Sequence, residues 1–292
     1  MTIKISIVIP SYNYGRFIGE TIDSILAQDY PNTEIIVIDG GSTDNTVEVV
    51  QSYGDKIAYF VSEPDEGQSN ALNKGFALTT GDVMAWICSD DIYLPGAFKR
   101  AADFFEQHRD CAFLYGDGAI IDGDSNWVCD IKSGPVLDRN TFHNYNYVFS
   151  TTSFWRRSLW EKSGAHIDES NNWTMDWELF IRMNQVAELH YRPGNVACLR
   201  HHEEAKTYTG RNQFTAKRDR EIVGVSRRYG GWFCYNSLMF VCLEISRLAR
   251  HFEGLPKPLY SLAFRLCHVP MQMMPSKTLS VFFNGPRVRS EN

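Results

Sequence analysis

The stretch "ICSDDIYLPG" (87–96) places two adjacent carboxylates, Asp90 and Asp91, after an apolar run, "DVMAWIC", and before a turn carrying Pro95 and Gly96. Like charges side by side repel unless a cation, a cluster of donors or open water relieves them. A cation in that place would make the pair a centre for metal-assisted chemistry. Other acids stand at the ends of other apolar runs: Asp39 closes "TEIIVID", and Glu63 and Asp65 follow "KIAYFVS". Whether they act together depends on the elements that carry them.

The first half alternates between two periodicities. "KISIVIP" (4–10) is a β-rich run stopped by Pro10, and "RFIGETIDSILAQ" (16–28) sets Phe17, Ile18, Thr21, Ile22, Ile25 and Leu26 on one helical stripe. "TEIIVIDGG" (33–41) predicts a second strand, and "STDNTVEVVQSYG" (42–54) a helix stopped by Gly54. "KIAYFVSEPDEG" (56–67), "QSNALNKGFALT" (68–79) and "DVMAWICSDD" (82–91) continue as strand, helix and strand. Such alternation builds a parallel sheet through right-handed crossovers, and the wholly apolar strands call for cover on both faces. In open parallel sheets ligands bind beyond the carboxyl ends of the strands. Pro10-Ser11-Tyr12-Asn13, Asp39-Gly40-Gly41, Glu63-Pro64-Asp65 and Ser89-Asp90-Asp91 all stand at such ends, so one edge is the expected site.

Further along, "FKRAADFFEQH" (98–108) reads as an amphipathic helix, and "CAFLYGDGAIID" (111–122) as two strands around Gly116-Asp117-Gly118. Residues 125–148 lack a period and are expected to form a loop region. A strand edge and short helix over 153–164, a helix over 172–187 and two β segments around a Pro-Gly turn over 188–202 follow. After 211 the pattern is helical to about 252 and is then broken by Pro256, Pro258, Pro270 and Pro275.

Composition bounds the function. At 292 residues with 43% hydrophobic and 22% charged residues, the chain fits a soluble globular protein of one large domain, with or without an appended subdomain. A net charge of −6 argues against a dedicated nucleic-acid binder. Residues 1–110 hold 7 Lys+Arg against 17 Asp+Glu, a net of −10, whereas residues 206–292 hold 14 against 5, a net of +9. The basic tail suits either an anionic surface or packing on the acidic front. In it, Leu238, Val241, Cys242, Ile245, Leu248 and Phe252 form one apolar face, which is open to a membrane surface, a second copy in a homodimer or the catalytic part. Seven cysteines without a C-x-x-C pair argue against a zinc site or redox dithiol and for a cytoplasmic setting. "MTIKISIVIP" reaches its proline too early for a signal peptide, and no run attains the roughly 18 apolar residues of a membrane span. The expected location is the cytoplasm, with peripheral contact to the inner membrane's cytoplasmic face left open.

Taken together, "SIVIPSYNYGRFIGETIDSILAQDYPNTEIIVIDGGSTDNT", "EPDEGQSNALNKG" and "CSDDIYLPGAF" resemble the inverting glycosyltransferases of family 2, over roughly residues 4–207. The resemblance implies a GT-A fold: α/β, a mainly parallel central sheet flanked by helices. The catalytic domain would span 1–210, with a nucleotide-sugar half to about 95 and an acceptor half from about 96, followed by a helical, basic extension over 211–292. It makes Asp39 the nucleotide-binding acid, able to accept the imide N–H of a uracil or thymine ring. Pro10, Tyr12, Asp65, Gln68 and Lys74 would join it around the donor. Ser89-Asp90-Asp91 matches the D-x-D motif with Ser in the first place: Ser89 would face the donor, Asp90 would contact the ribose or assist the metal, and Asp91 would ligate Mg²⁺ or Mn²⁺, with the diphosphate supplying most other ligands.

"MDWELFIRM" matches the segment that carries the catalytic base, implying Asp176, with Glu178 as fallback. In "CLRHHEEAKT", His202 would be a further metal ligand or diphosphate contact, and Arg200 or Lys206 would neutralise the leaving diphosphate. Trp155 and Arg156 would lie on the acceptor side, Trp155 either stacking on a sugar or sitting in the core. The reading implied is metal-dependent transfer from a nucleotide sugar, UDP-linked, to a saccharide or lipid-linked acceptor in cell-surface glycan synthesis. Two rivals remain open at this point. A nucleotidyltransferase would want a Gly-rich basic loop after the first strand, where "PSYNYGRF" is a poor version, and a non-catalytic nucleotide-sugar sensor would have no need of Asp90, Asp91 and Asp176.

Overall fold

The computed structural model describes residues 2–136, 142–143, 146–206 and 216–231. Four strands form its parallel block: β1 (Ile5–Ser11), β2 (Thr33–Asp39), β3 (Tyr59–Ser62) and β4 (Val83–Trp86), side by side in the order β3-β2-β1-β4. Helices α1 (Ile18–Leu26), α2 (Thr46–Gln51) and α3 (Gln68–Leu78) make the crossovers.

The period-two geometry of a strand sends neighbouring residues to opposite faces. Ile5, Ile7, Ile9, Val83, Ala85 and Ile87 pack with Ile18, Ile22 and Ile25 of α1 and with Phe98, Ala101 and Phe105 of α4 (Ala97–Gln107). Val8, Met84 and Trp86 pack on the other side with Leu72 and Phe76 of α3 and Leu179, Phe180 and Met183 of α6 (Met175–Val186). Both faces are therefore covered, as the apolar runs require. α3 lies so close that a Cβ added at Gly75 would stand 2.3 Å from Val8 Cγ1.

The remaining strands are β5 (Ile92–Tyr93), β6 (Phe113–Asp122), β7 (Trp127–Ile131), β8 (Ser153–Arg156) and β9 (Leu189–His201). They extend the sheet from β4 in the order β8-β6-β9-β5, with β7 paired to β6. β5, β7 and β8 run against the other six of the nine described strands. Helix α5 (Arg157–Lys162) follows β8, and α7 (Ala216–Arg228) packs Val225 into the core shared with Phe180 and Leu189. The chain thus has the mixed α/β architecture expected, a mostly parallel sheet between helical layers.

Three details differ from the sequence expectations. Residues 113–122 form one strand, not two around Gly116–Gly118. Residues 189–201 likewise form one strand through Pro193-Gly194. Between the pairs Tyr115↔Tyr191 and Asp117↔Asn195 β9 spends two residues more than β6, a bulge that accommodates the proline. Gly194 adopts φ +116° there and donates its N–H to Asp117 Oδ2 at 2.9 Å. Finally, part of the presumed loop at 125–148 is β7, a half-exposed edge strand whose neighbour β6 supplies the pairing that its short sequence pattern does not announce. The apolar-basic tail, 232–292, lies outside the described residues. Among the described residues no helix is long and apolar enough to cross a membrane.

Candidate active site

Register brings the expected loops to one edge. Ser11, Asp39 and Ser62 are side by side across β1, β2 and β3, while Trp86, the last residue of β4, pairs three residues earlier, with Val8. The chain after β4 therefore runs on over the edge. A turn closed by the Asp91 N–H on the Cys88 carbonyl (3.1 Å) gathers Cys88 Sγ and the Asp90 and Asp91 carboxylates within 4.8 Å of one another.

Both acids are buried, and each is held differently. Asp91 Oδ1 accepts the Arg200 backbone N–H at 2.9 Å, and Oδ2 accepts the Thr151 hydroxyl at 2.9 Å. Burial, and then the charge of Asp90, push the Asp91 carboxyl well above the usual range. His202 Nε2 lies 3.0 Å from Asp90 Oδ2, with its ring packed on Phe17 and Tyr14. The Cys88 thiol, raised by burial and by the two acids, adds no charge. This donor set fits a hard divalent cation. Asp90 and Asp91 offer oxygens in a place where their mutual repulsion needs a positive charge, and His202 stands beside them.

Arg200 corrects one expectation. Its side chain is 1% exposed and fully engaged: Nε donates to the Asp90 carbonyl (2.7 Å), Nη1 to Ser125 Oγ (2.7 Å) and Nη2 to Glu20 (2.6 Å). It braces the acidic turn from behind and offers nothing to a diphosphate.

On the donor side, Asp39 occupies the edge, but its carboxylate is buried in its own loops. Oδ2 accepts the N–H groups of Gly41 (3.2 Å) and Ser42 (2.8 Å) and the Ser62 hydroxyl (2.6 Å), and Oδ1 accepts the Ser42 hydroxyl (2.5 Å). In this geometry it shapes the loop and does not present itself to a base. Tyr12, 57% exposed, stands on that rim, while Pro10 is buried within β1. The Asp65 carboxylate lies over Gly40, 2.9 Å from where a Cβ would be, and accepts the Gly67 N–H at 2.8 Å. Ser89 is buried in the turn. Gln68 opens α3, donates to Cys88 Sγ at 3.3 Å and accepts from Lys206 Nζ at 3.2 Å. Lys74 is instead paired with Glu63 at 2.7 Å, not turned to a phosphate.

Asp176 sits in the first turn of α6, where the helix dipole favours an anion. Burial nevertheless wins and raises its carboxyl to about 6, against the opposing pull of the Trp177 N–H (2.7 Å), Lys206 and Asn146 (3.4 Å). Lys206 feels Cys88 and Asp176 alike and donates to the Asn172 carbonyl at 2.5 Å, so its ammonium lies between the acidic turn and the start of α6. Glu178 is excluded as a fallback: it is 2% exposed, paired with Arg182 at 3.0 Å and bonded by the Tyr229 hydroxyl.

Trp155 and Arg156 also need correction. Trp155 is 0% exposed among Phe76, Trp86, Phe113 and Phe180, with no face open to a sugar. Arg156 pairs opposite Val83 at the amino end of β4 and donates to the carbonyls of Cys111 and Phe105, at the far end of the sheet. β8 runs antiparallel to β4, so this segment meets the site where it begins, at Thr151, and leaves it thereafter. Thr151 is the residue that the sequence reading missed; the "STTS" run preceding β8 was the signal available.

Residues 6–164 match the family described as Glycosyl transferase family 2. An uncharacterised glycosyltransferase of Rickettsia typhi is 32% identical over 217 residues, covering 72% of this chain and 67% of that protein. A Rickettsia conorii relative, also 32% identical, is spanned over only 34% of its length. The Escherichia coli chondroitin synthase is 25% identical over 62% of this chain and 26% of its own. Among solved structures, Staphylococcus aureus TarS in complex with UDP-GlcNAc superposes with a TM-score of 0.61 at 17% identity, covering 99% of this chain and 76% of that one. A Pyrobaculum calidifontis mannosyltransferase in complex with GDP-Man and Mn²⁺ gives 0.53 at 14% identity over 92% and 70%. An acidic turn, a helix that opens on a half-buried aspartate and a GT-A-like sheet are thus found in a chain that belongs to glycosyltransferase family 2.

Proposed function

We propose that the protein transfers a sugar with inversion from a nucleotide sugar, UDP-linked, to a saccharide or lipid-linked acceptor in cell-surface glycan synthesis, with residues 1–210 as the catalytic unit. Asp90 and Asp91, with His202 beside them, would hold Mg²⁺ or Mn²⁺, which when bound offsets the charge of the donor's diphosphate. Tyr12, Asp65, Gln68 and the loop shaped by Asp39 would hold the nucleotide sugar. Asp176 takes the proton of the acceptor hydroxyl as that oxygen attacks the anomeric carbon, and the diphosphate leaves from the opposite face. A carboxyl poised near 6 suits this role, being ionised at neutral pH yet more basic than an exposed aspartate. Lys206 keeps a cation between the leaving group and the base.

The observation that carries this reading is the bridge made by Lys206, bonded to Gln68 beside Cys88 and to the Asn172 carbonyl on the turn that leads to Asp176. The choice of UDP leans on the UDP-GlcNAc complex of TarS, and the acceptor class on relatives named for chondroitin and for PGL/p-HBAD biosynthesis. The test is a thermal-shift panel of UDP-, GDP- and dTDP-sugars with and without Mn²⁺. A bound donor at a hundred times its Kd adds about 2.7 kcal/mol of stability, roughly 4–5 °C for a chain of this size. Asp91→Asn is expected to lose the Mn²⁺-dependent part of that shift. Failure of every nucleotide sugar to stabilise the wild type would overturn the reading.

A further inference from the structure

The turn that leads into the base helix is held from a part of the chain beyond the family match. Glu221 of α7 accepts the backbone N–H groups of Asn172 (3.0 Å) and Trp173 (2.8 Å) on one oxygen, Oε2. Lys206 takes the opposite side of the same segment through the Asn172 carbonyl at 2.5 Å, and Glu221 acts electrostatically on Lys206 as well. About two helical turns further along α7, Arg228 pairs with Asp168 at 2.7 Å, where the segment begins. The peptide links of 172–173 are thus gripped on both faces, three residues ahead of Asp176.

Two N–H groups on a carboxylate oxygen form charge-assisted bonds, stronger and shorter than neutral ones. Thr174, the residue preceding α6, makes no side-chain cap bond, so the helix start has no grip of its own at that position. We propose that Glu221 is a positioning residue for the glycosyl transfer: through the backbone of Asn172 and Trp173 it fixes where the Asp176 carboxylate stands relative to the acidic turn. This rests on the reading of Asp176 as the base. It makes helix α7 part of the machinery of transfer, not merely an appendage to the catalytic sheet.

The effect of releasing the grip follows from geometry. A displacement near 1 Å of a reacting group costs up to about a hundredfold in rate. The full-length protein is assayed with Mn²⁺ and the UDP-sugar that gives the largest thermal shift, reading UDP release, and by amide hydrogen exchange of the peptide spanning 172–173. E221A is expected to lower kcat about ten- to a hundredfold with the donor KM within about twofold, and to speed exchange of the two amides. E221Q keeps an oxygen for both N–H groups and is expected to restore most of kcat and the slow exchange. E221D, with its carboxylate drawn back by one methylene, is expected to fall between them and serves if E221A fails to fold.

Wild-type kcat in E221A and E221D, with turnover lost in D176N, would overturn this proposal while leaving the base in place. Retained turnover in D176N would instead remove the base reading, whatever Glu221 does. A raised donor KM at unchanged kcat would also overturn the positioning role.

Discussion

Replacing Asp176 by Asn removes a charge that burial opposes, so the variant should be more stable than the wild type at neutral pH while losing transfer. The carboxyl lies at about 6 in the folded chain against 3.8 for the ordinary side chain. Folded Asp176 therefore binds its proton more tightly than the unfolded one, and its contribution to stability falls as pH rises from about 4 to about 6. Each pKa unit corresponds to about 1.4 kcal/mol, so the full cost at pH 7.5 is at most about 3 kcal/mol. The residue is only partly buried, so water relieves some of this, which leaves about 1–3 kcal/mol. Urea unfolding of both proteins at pH 7.5 and at pH 4.0 reads the difference directly. Asp176→Asn should gain about 1–3 kcal/mol at the higher pH and almost nothing at the lower. The wild-type rate should rise through an apparent pKa near 6, because only the ionised carboxylate accepts a proton. Loss of stability in the variant at pH 7.5, or a difference that does not change with pH, would refute the argument that burial sets this group.

Two further substitutions test the corrected assignments. Arg200→Met should destabilise by roughly 1–3 kcal/mol in urea, mainly by stranding the Asp90 carbonyl, since its partner Glu20 is 43% exposed and their pair contributes little. It should also weaken metal-dependent donor binding, because the acidic turn loses its brace; an unchanged unfolding midpoint would show that the guanidinium is not structural. Trp155→Ala should cost about 3–5 kcal/mol as a core cavity. Its acceptor KM, measured on the folded protein, should stay at the wild-type value, and a selective rise in that KM without loss of stability would restore the sugar-stacking role.

Much of the donor side was legible because a parallel sheet converts sequence order into place. Once "SIVIP", "EIIVID" and "VMAWIC" are strands running together, their carboxyl ends share an edge, whatever the loops do, and Ser11, Asp39 and Ser62 fall in register there. The side of a residue that faces a ligand was not legible. Asp39 reaches the right edge but turns inward to four donors of its own loops. Trp155 failed for a directional reason. The four strand residues Ser153–Arg156 span about 10 Å, so an antiparallel β8 carries its later residues away from the edge that the preceding Thr151 touches. Pro193-Gly194 misled because a bulge and a hairpin use the same residues, and only the partner strand decides between them.

The second half of the site returns to the first by two different directional devices. β9 runs the same way as β4, so its end delivers the Arg200 N–H to Asp91 and His202 to Asp90, at the edge where the acids already are. α6 arrives with its amino end, which brings Asp176 to the opposite side of Lys206. The matched family segment stops at 164, before any of these groups. The acidic pair and Asp176 are therefore set by separate stretches of chain, joined by Lys206 and, on our proposal, kept in distance by Glu221. In the free protein that arrangement holds Asp91 and Asp176 against their own solvation, a cost offset by the two cores that sandwich the sheet. Release of that cost on arrival of a cation and an anionic donor is what would make binding there favourable, because the charges then meet partners in a place where water no longer screens them.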